Sequence, residues 1–257
     1  MIVVYEGGVP GEGELTRFDR RLLVAVDAMG YGSGTDRDHF AVQAGLTKVL
    51  DAAAAKAGLR RDLWLTQQAG DGELAILPRD ESEPVVVDQY VRYLDEALKA
   101  HNADPGSGPT IRLRMAVHFG AAMQADNGYA GQGIVAVSRL VDSAPVKQAL
   151  VDVPEASLVV VLSRQIYEDV VRQGHVSIPE AEFTKVGVEV KEYRDEAWIR
   201  VVGGPYKSAA RNRPAEDRPA EAGTPHETPG VHQVFNGDVH NQGPTTFGIS
   251  FGARNNG

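Results

Sequence analysis

There is no cysteine among these 257 residues, so disulfides, thiolate nucleophiles and cysteine-ligated metals are excluded. No apolar run approaches the ~20 residues that span a bilayer. The opening Met1-Ile2-Val3-Val4-Tyr5-Glu6 lacks the basic-then-apolar order of a secretory leader. Positive charge is short: 26 Lys and Arg stand against 35 Asp and Glu, a net charge of −9. That balance argues against broad binding to nucleic acid or anionic lipid. The 7 histidines show no metal-ligand spacing with one another. The glycine-rich Gly30-Tyr31-Gly32-Ser33-Gly34 lacks the lysine and hydroxyl of a P-loop. These absences lead us to expect a cytoplasmic protein with no nucleic-acid or membrane partner.

What is present is ordinary for a globular chain, 42% hydrophobic and 24% charged, long enough for one substantial domain and an appendage. Arg21–Asp27 is nearly continuously apolar and reads as a buried strand. Thr35 is placed to cap a helix from about Asp36, with Phe40, Leu46, Val49 and Leu50 on its buried side and Gly58 as its left-handed stop. Leu63–Gln68 and Glu73–Leu77 flank Gly70-Asp71-Gly72 as a hairpin. Val87, Val91, Leu94 and Leu98 recur at helical spacing, which predicts a helix over roughly Val87–His101. Ile111, Leu113, Met115 and Val117 alternate with Arg112, Arg114, Ala116 and His118, the period of a half-buried strand whose arginines face solvent or an interface. The glycine-rich turn Gly128–Gly133 leads into a helix through Arg139 that Pro145 should stop. Leu158–Leu162 reads as another buried strand, and Ser163 as the cap of a helix ending at Gly174. Val186–Val190 and Ala197–Val202 read as an antiparallel pair. The class is α+β, a sheet with helices packed on it.

The composition shifts near Gly203. Pro205, Pro214, Pro219, Pro225 and Pro229 punctuate a polar stretch that cannot bury enough surface to offset the entropy of ordering. We therefore divide the chain into a domain at 15–203, a disordered Pro-rich linker at 204–230, and a Gly/Asn-rich interaction motif at 231–257. In that motif, Val234–His240 and Phe247–Gly252 mix β-formers with Asn, Gln and Gly, a composition suited to strand stacking between chains. It resembles the amyloid-like signalling motifs that bacteria and fungi attach by linkers to signalling proteins. Self-assembly or partner recruitment is the expected role; an ordinary polar tail is the alternative.

Two carboxylates sit at strand ends, Asp27 after the apolar run and Asp71 between two glycines. Brought together, they are the type of donor that holds Mg²⁺ against phosphate oxygens. Four motifs stand in order around them: Asp27-Ala28-Met29-Gly30-Tyr31, Gly70-Asp71-Gly72, Arg114-Met115-Ala116-Val117-His118-Phe119-Gly120, and Gly131-Gln132-Gly133-Ile134-Val135-Ala136-Val137-Ser138-Arg139-Leu140. In this order they resemble the class III nucleotide (adenylate/guanylate) cyclase catalytic domain, and the chain reads as a divergent bacterial member.

The resemblance implies a ferredoxin-like mixed or antiparallel sheet with packed helices, and a mechanism. Asp27 and Asp71 would bind two Mg²⁺ or Mn²⁺ ions. Backbone N–H groups from Ala28, Met29, Gly30 and Tyr31, helped by the following helix N-terminus, would hold a nucleoside triphosphate. Arg139 would neutralise transition-state charge, and Lys191, in Val190-Lys191-Glu192, would contact phosphate. The two aspartates of this family face groups of a partner chain, so a homodimer is implied and a monomer would be inactive. The departures are equally specific. Val135 stands where the family has a ribose-orienting asparagine. Gln67 holds the base-reading position four residues before Asp71, where lysine or glutamate is usual, and the second base-reading position falls near Gly128 or Tyr129. Relatives in bacterial anti-phage signalling use UTP or CTP, which makes a pyrimidine nucleotide one candidate. The alternative is a degenerate cyclase fold that senses nucleotide or serves as a scaffold. His118 is expected to be structural.

Overall fold

The apolar run around Val24 is strand β1 (Asp19–Ala28), and both of its edges are paired. β3 (Gly72–Ile76) lies antiparallel on one side, with Asp27 opposite Gly72. β4 (Leu113–Ala125) lies antiparallel on the other, from Asp19 opposite Ala122 to Ala28 opposite Leu113. The computed structural model describes residues 19–30, 35–125 and 128–204. Tyr31, the expected linker beyond 204 and the 231–257 motif lie outside the described residues.

The sheet continues from β4 through β6 (Leu158–Ser163), β8 (Tyr193–Val201) and β7 (Thr184–Val190), and ends at its other edge with β2 (Leu65–Ala69). The order is β2-β3-β1-β4-β6-β8-β7, and the short β5 (Gly128–Ala130) pairs only with β4. β4 and β6 are parallel and the other neighbours antiparallel. The architecture is thus a mixed α+β sheet, as the sequence pattern predicts.

Side-chain alternation sends β1 to two cores. Leu22, Val24 and Val26 pack with Leu113, Met115 and Val117 of β4 under α1 (Asp36–Ala57) and a continuous helix over 83–103. That helix joins α2 (Glu83–Val85) to α3 (Val91–Ala103) through a π-helical turn at Val86–Tyr90. Leu23 and Ala25 face the other way, with Ala116 and Ile199, under α4 (Gln132–Asp142) and α5 (Ala144–Asp152). α1 begins and ends as its sequence dictates. Thr35 and Asp38 form a reciprocal capping box, and Gly58 takes φ 73° in the left-handed region.

Four local expectations need correction. Phe40 is 76% exposed; the buried stripe of α1 starts at Val42, nearly two turns into the helix, and Phe40 is on the opposite face. β4 is not half-buried: α4 and α5 cover the face that Ala116 occupies. α4 ends at Asp142, near Pro145 as expected, but a second helix follows at once, with Pro145 in the first turn of α5, where its missing N–H costs nothing. Ser163 stands at the N-cap of α6 (Arg164–Ile166), yet its side chain makes no capping bond and its Oγ is buried without a partner.

α4 lies close on the sheet because two glycines meet. A Cβ on Gly133 would fall 2.7 Å from the Gly120 carbonyl carbon and 2.8 Å from the Ala121 oxygen, backbone atoms that cannot yield. Gly133→Ala is therefore expected to cost about 1–3 kcal/mol by overpacking, read as a lower urea midpoint; an unchanged midpoint would contradict this packing.

Candidate functional site

β1 carries Asp27 to the rim of the sheet, and the β2–β3 turn brings Asp71 beside it. The Ala28 N–H donates to the Asp71 carbonyl at 2.9 Å, which ties the strand end to the turn. Gly70 adopts φ 59°, and the Gln43 side chain of α1 donates to its carbonyl at 3.0 Å. Gly72 allows the approach: a Cβ there would lie 2.4 Å from the Val26 carbonyl oxygen. The Gly-Asp-Gly sequence is thus what places Asp71 at the end of β1. Among the described residues, no group of three or more His, Asp or Glu stands ready to hold a metal. Two carboxylates nonetheless suit Mg²⁺, which leaves its other positions to water and phosphate oxygens.

Asp27 is not a bare carboxylate. Its Oδ2 accepts from Nη2 of Arg114, the residue opposite it on β4. The Asp27 side chain is 26% exposed and that of Arg114 13%. The neighbouring Arg112 is structural: it donates to the carbonyls of Leu150, Val153 and Ala156 at the end of α5. Neither arginine lies on a solvated strand face.

Ala28, Met29 and Gly30 line a cleft of about 600 Å³ with Asp38, His39 and the 105–111 loop. The Ala28 and Met29 N–H groups are occupied by the carbonyls of Asp71 and Arg112. The first turn of α1 is acidic at Asp36 and Asp38, and its end is closed by the Thr35 box, so its dipole is already complemented by the chain's own carboxylates. The cleft lies toward α1, where Ala28 packs, while Asp27 faces α4. A ligand that touches both must lie across the strand ends.

No protein-family model matches the chain, and no curated protein matches it. Solved structures do. The chain is similar to an adenylate/guanylate cyclase/hydrolase from Silicibacter pomeroyi, at 22% identity and TM-score 0.51, over 72% of this chain and 98% of that one. It is similar to the guanylyl cyclase Cya2 at 12% identity and TM-score 0.50, over 75% of this chain and 95% of that one. The fold is class III cyclase-like.

On this cyclase-like fold the remaining candidates fall in separate places. Gln67 projects toward β5: a Cβ on Gly128 would lie 2.6 Å from its Oε1, so the two expected base-reading positions are neighbours. Val135 is 44% exposed on α4. Arg139, one turn further on, is half-buried, with no hydrogen-bond or ion-pair partner among the described residues. Lys191 is in the β7–β8 turn at φ 54°. Asp27 is level with Arg114, Val159 and Val201. Lys191 precedes the far end of the 9-residue β8, about 30 Å along the sheet and three strands over. One copy does not bring Lys191 to Asp27.

His118 faces the α4 side, with Nδ1 buried and unpartnered. Burial lowers its pKa from the ordinary value; Arg20 adds to this and Asp195 opposes it. The unfolded chain therefore takes up this proton at higher pH than the folded one, and stability falls as pH drops below about 6.5. His118→Gln is expected to reduce the loss of urea midpoint between about pH 7.5 and about pH 5.5; an identical loss in both proteins would contradict the buried neutral imidazole.

Proposed function

We propose that this chain is a metal-dependent nucleotidyl cyclase acting as a homodimer, which converts a nucleoside triphosphate to a cyclic nucleotide and pyrophosphate. The observation that carries the reading is the backbone bond that sets Asp71 at the end of β1, one residue past Asp27 and beside the Ala28–Gly30 cleft, on a cyclase-like fold. In the reaction the ribose 3′-oxygen bonds to the α-phosphorus as the bond to the pyrophosphate oxygen breaks, and the hydroxyl proton is released. Asp27 and Asp71 would hold two Mg²⁺ or Mn²⁺ ions. Such ions supply a lowered hydroxyl pKa and neutralise charge on the α-phosphate.

The chain's own groups divide the remaining work. Ala28, Met29 and Gly30 would border the triphosphate, with Tyr31 assigned beside them by the motif alone. Arg139, without a partner among the described residues, would neutralise charge that grows in the transition state, and Lys191 would contact phosphate. Lys191 sits far from Asp27 within one chain, so it would act on the Asp27 site of a second copy, and the resemblance assigns Arg139 the same role. Gln67, an uncharged donor and acceptor beside Gly128, meets the base. The reading includes a cytoplasmic setting and recruitment of copies or partners through residues 231–257. Among the described residues no helix is long and apolar enough to cross a membrane.

One observation favours a second reading. The exposed position that would orient ribose carries the apolar Val135, which suits a domain that binds nucleotide without turning it over. Incubating the purified chain with Mn²⁺ and ATP, GTP, CTP or UTP separately, with products read by mass spectrometry, separates the two. We expect one cyclic monophosphate, lost by at least about 100-fold in Asp27→Asn and in Asp71→Asn with an unchanged unfolding midpoint. Turnover that survives both changes would contradict the cyclase reading, and no product from any nucleotide would favour the second.

A further inference from the structure

The end of β1 holds more charge than two metal-binding carboxylates require. Arg114 reaches Asp27 from β4, and Asp142, near the end of α4, acts electrostatically on Arg114. Asp142 is itself paired with Lys147 of α5. Asp71 enters from the β2–β3 turn. Arg114 thus stands between two acids, Asp27 in contact and Asp142 in electrostatic reach, and Arg112 takes no part because carbonyls hold it.

We propose that Arg114 is a tethered cation that holds the place of a divalent ion on Asp27, so that metal loads onto the free protein weakly and only as Arg114 moves toward Asp142. The proposal rests on the reading of Asp27 as a metal ligand. Three observations support it. The pair is made across a fixed strand register, Asp27 opposite Arg114, so the arginine cannot drift away by backbone motion. The guanidinium is incompletely satisfied there: its Nε is buried with no acceptor among the described residues, although the group carries five donors. A second carboxylate, Asp142, stands within electrostatic reach and is 55% exposed, so it can exchange Lys147 for Arg114 at little desolvation cost. A carboxylate already neutralised by a guanidinium attracts a dication less than a bare one. A triphosphate that arrives with its own ion adds ligands and negative charge at the rim, and tips the exchange.

The test is Mn²⁺ alone, titrated into the full chain without nucleotide, with free ion followed by electron paramagnetic resonance. Arg114→Gln is expected to bind Mn²⁺ about tenfold more tightly than the unmodified chain. Arg114→Lys, which keeps a tethered charge, should remain near it. Asp27→Asn on the Arg114→Gln background should remove the gain. Asp142→Asn, at an exposed position, should weaken Mn²⁺ binding severalfold by denying Arg114 its second acceptor, and reports independently should Arg114→Gln fail to fold. A folded Arg114→Gln protein with unchanged Mn²⁺ affinity overturns the inference, as does an unchanged Asp142→Asn. If Asp27→Asn weakens binding while Arg114→Gln does not strengthen it, this inference alone fails. If the gain survives Asp27→Asn, the ion is not on Asp27 and the metal reading of the catalytic site fails with it.

Discussion

The ladder between β1 and β4 runs the whole length of β1, from Asp19 opposite Ala122 to Ala28 opposite Leu113. Because both strands are covered on both faces, their register cannot slip by one residue without moving each apolar set into the wrong core. That register places Arg114 beside Asp27, sets the Arg112 carbonyl against the Met29 N–H, and gives α4 the glycine-lined surface at Gly120 on which Gly133 rests. The candidate site is a consequence of how this ladder ends: β1 stops at Ala28, β4 begins at Leu113, and the β2–β3 turn closes over the gap.

Charge at that end is arranged with economy. Three carboxylates near that end are already engaged: Asp27 meets Arg114, Asp142 meets Lys147, and Asp38 closes the cap of its own helix α1. Arg139 and Lys191, by contrast, have no partner among the described residues, and Lys191 lies away from Asp27. A half-buried arginine without a carboxylate is costly to keep unless something external meets it. In the proposed dimer, a second copy would supply the groups that meet them. The same logic assigns Arg112 to structure, because its guanidinium is consumed by carbonyls at the end of α5.

Much of this was legible in the residues. The Thr35 cap, the Gly58 stop and the Gly70-Asp71-Gly72 turn are local, set by hydrogen bonds and backbone angles within a few positions. The nearness of Gln67 to Gly128 and of Asp27 to Asp71 followed from motif order on a known type of fold. What was not legible depends on partners distant in sequence. Alternation alone makes β4 look half-buried, because it cannot report that α4 and α5 return to cover the second face. Arg112 and Arg114 look solvated until residues some forty or more positions away are brought to them. Phe40 sits two residues before Val42 and nine before Val49, about half a turn around the helix from both, so it lies off the buried face. Pro145 reads as a stop in a linear sequence but suits a first turn equally well. For Lys191, only the sheet order showed how far it lies from Asp27.

The central claim is that acids and bases from two copies meet in one site. Mixing Asp27→Asn protein with Arg139→Ala protein, each inactive alone, tests it directly. Random pairing makes half the dimers mixed, each with one unaltered composite site, so turnover should return to about a quarter of the unmodified level. A mixture that forms mixed dimers yet stays inactive would contradict the account.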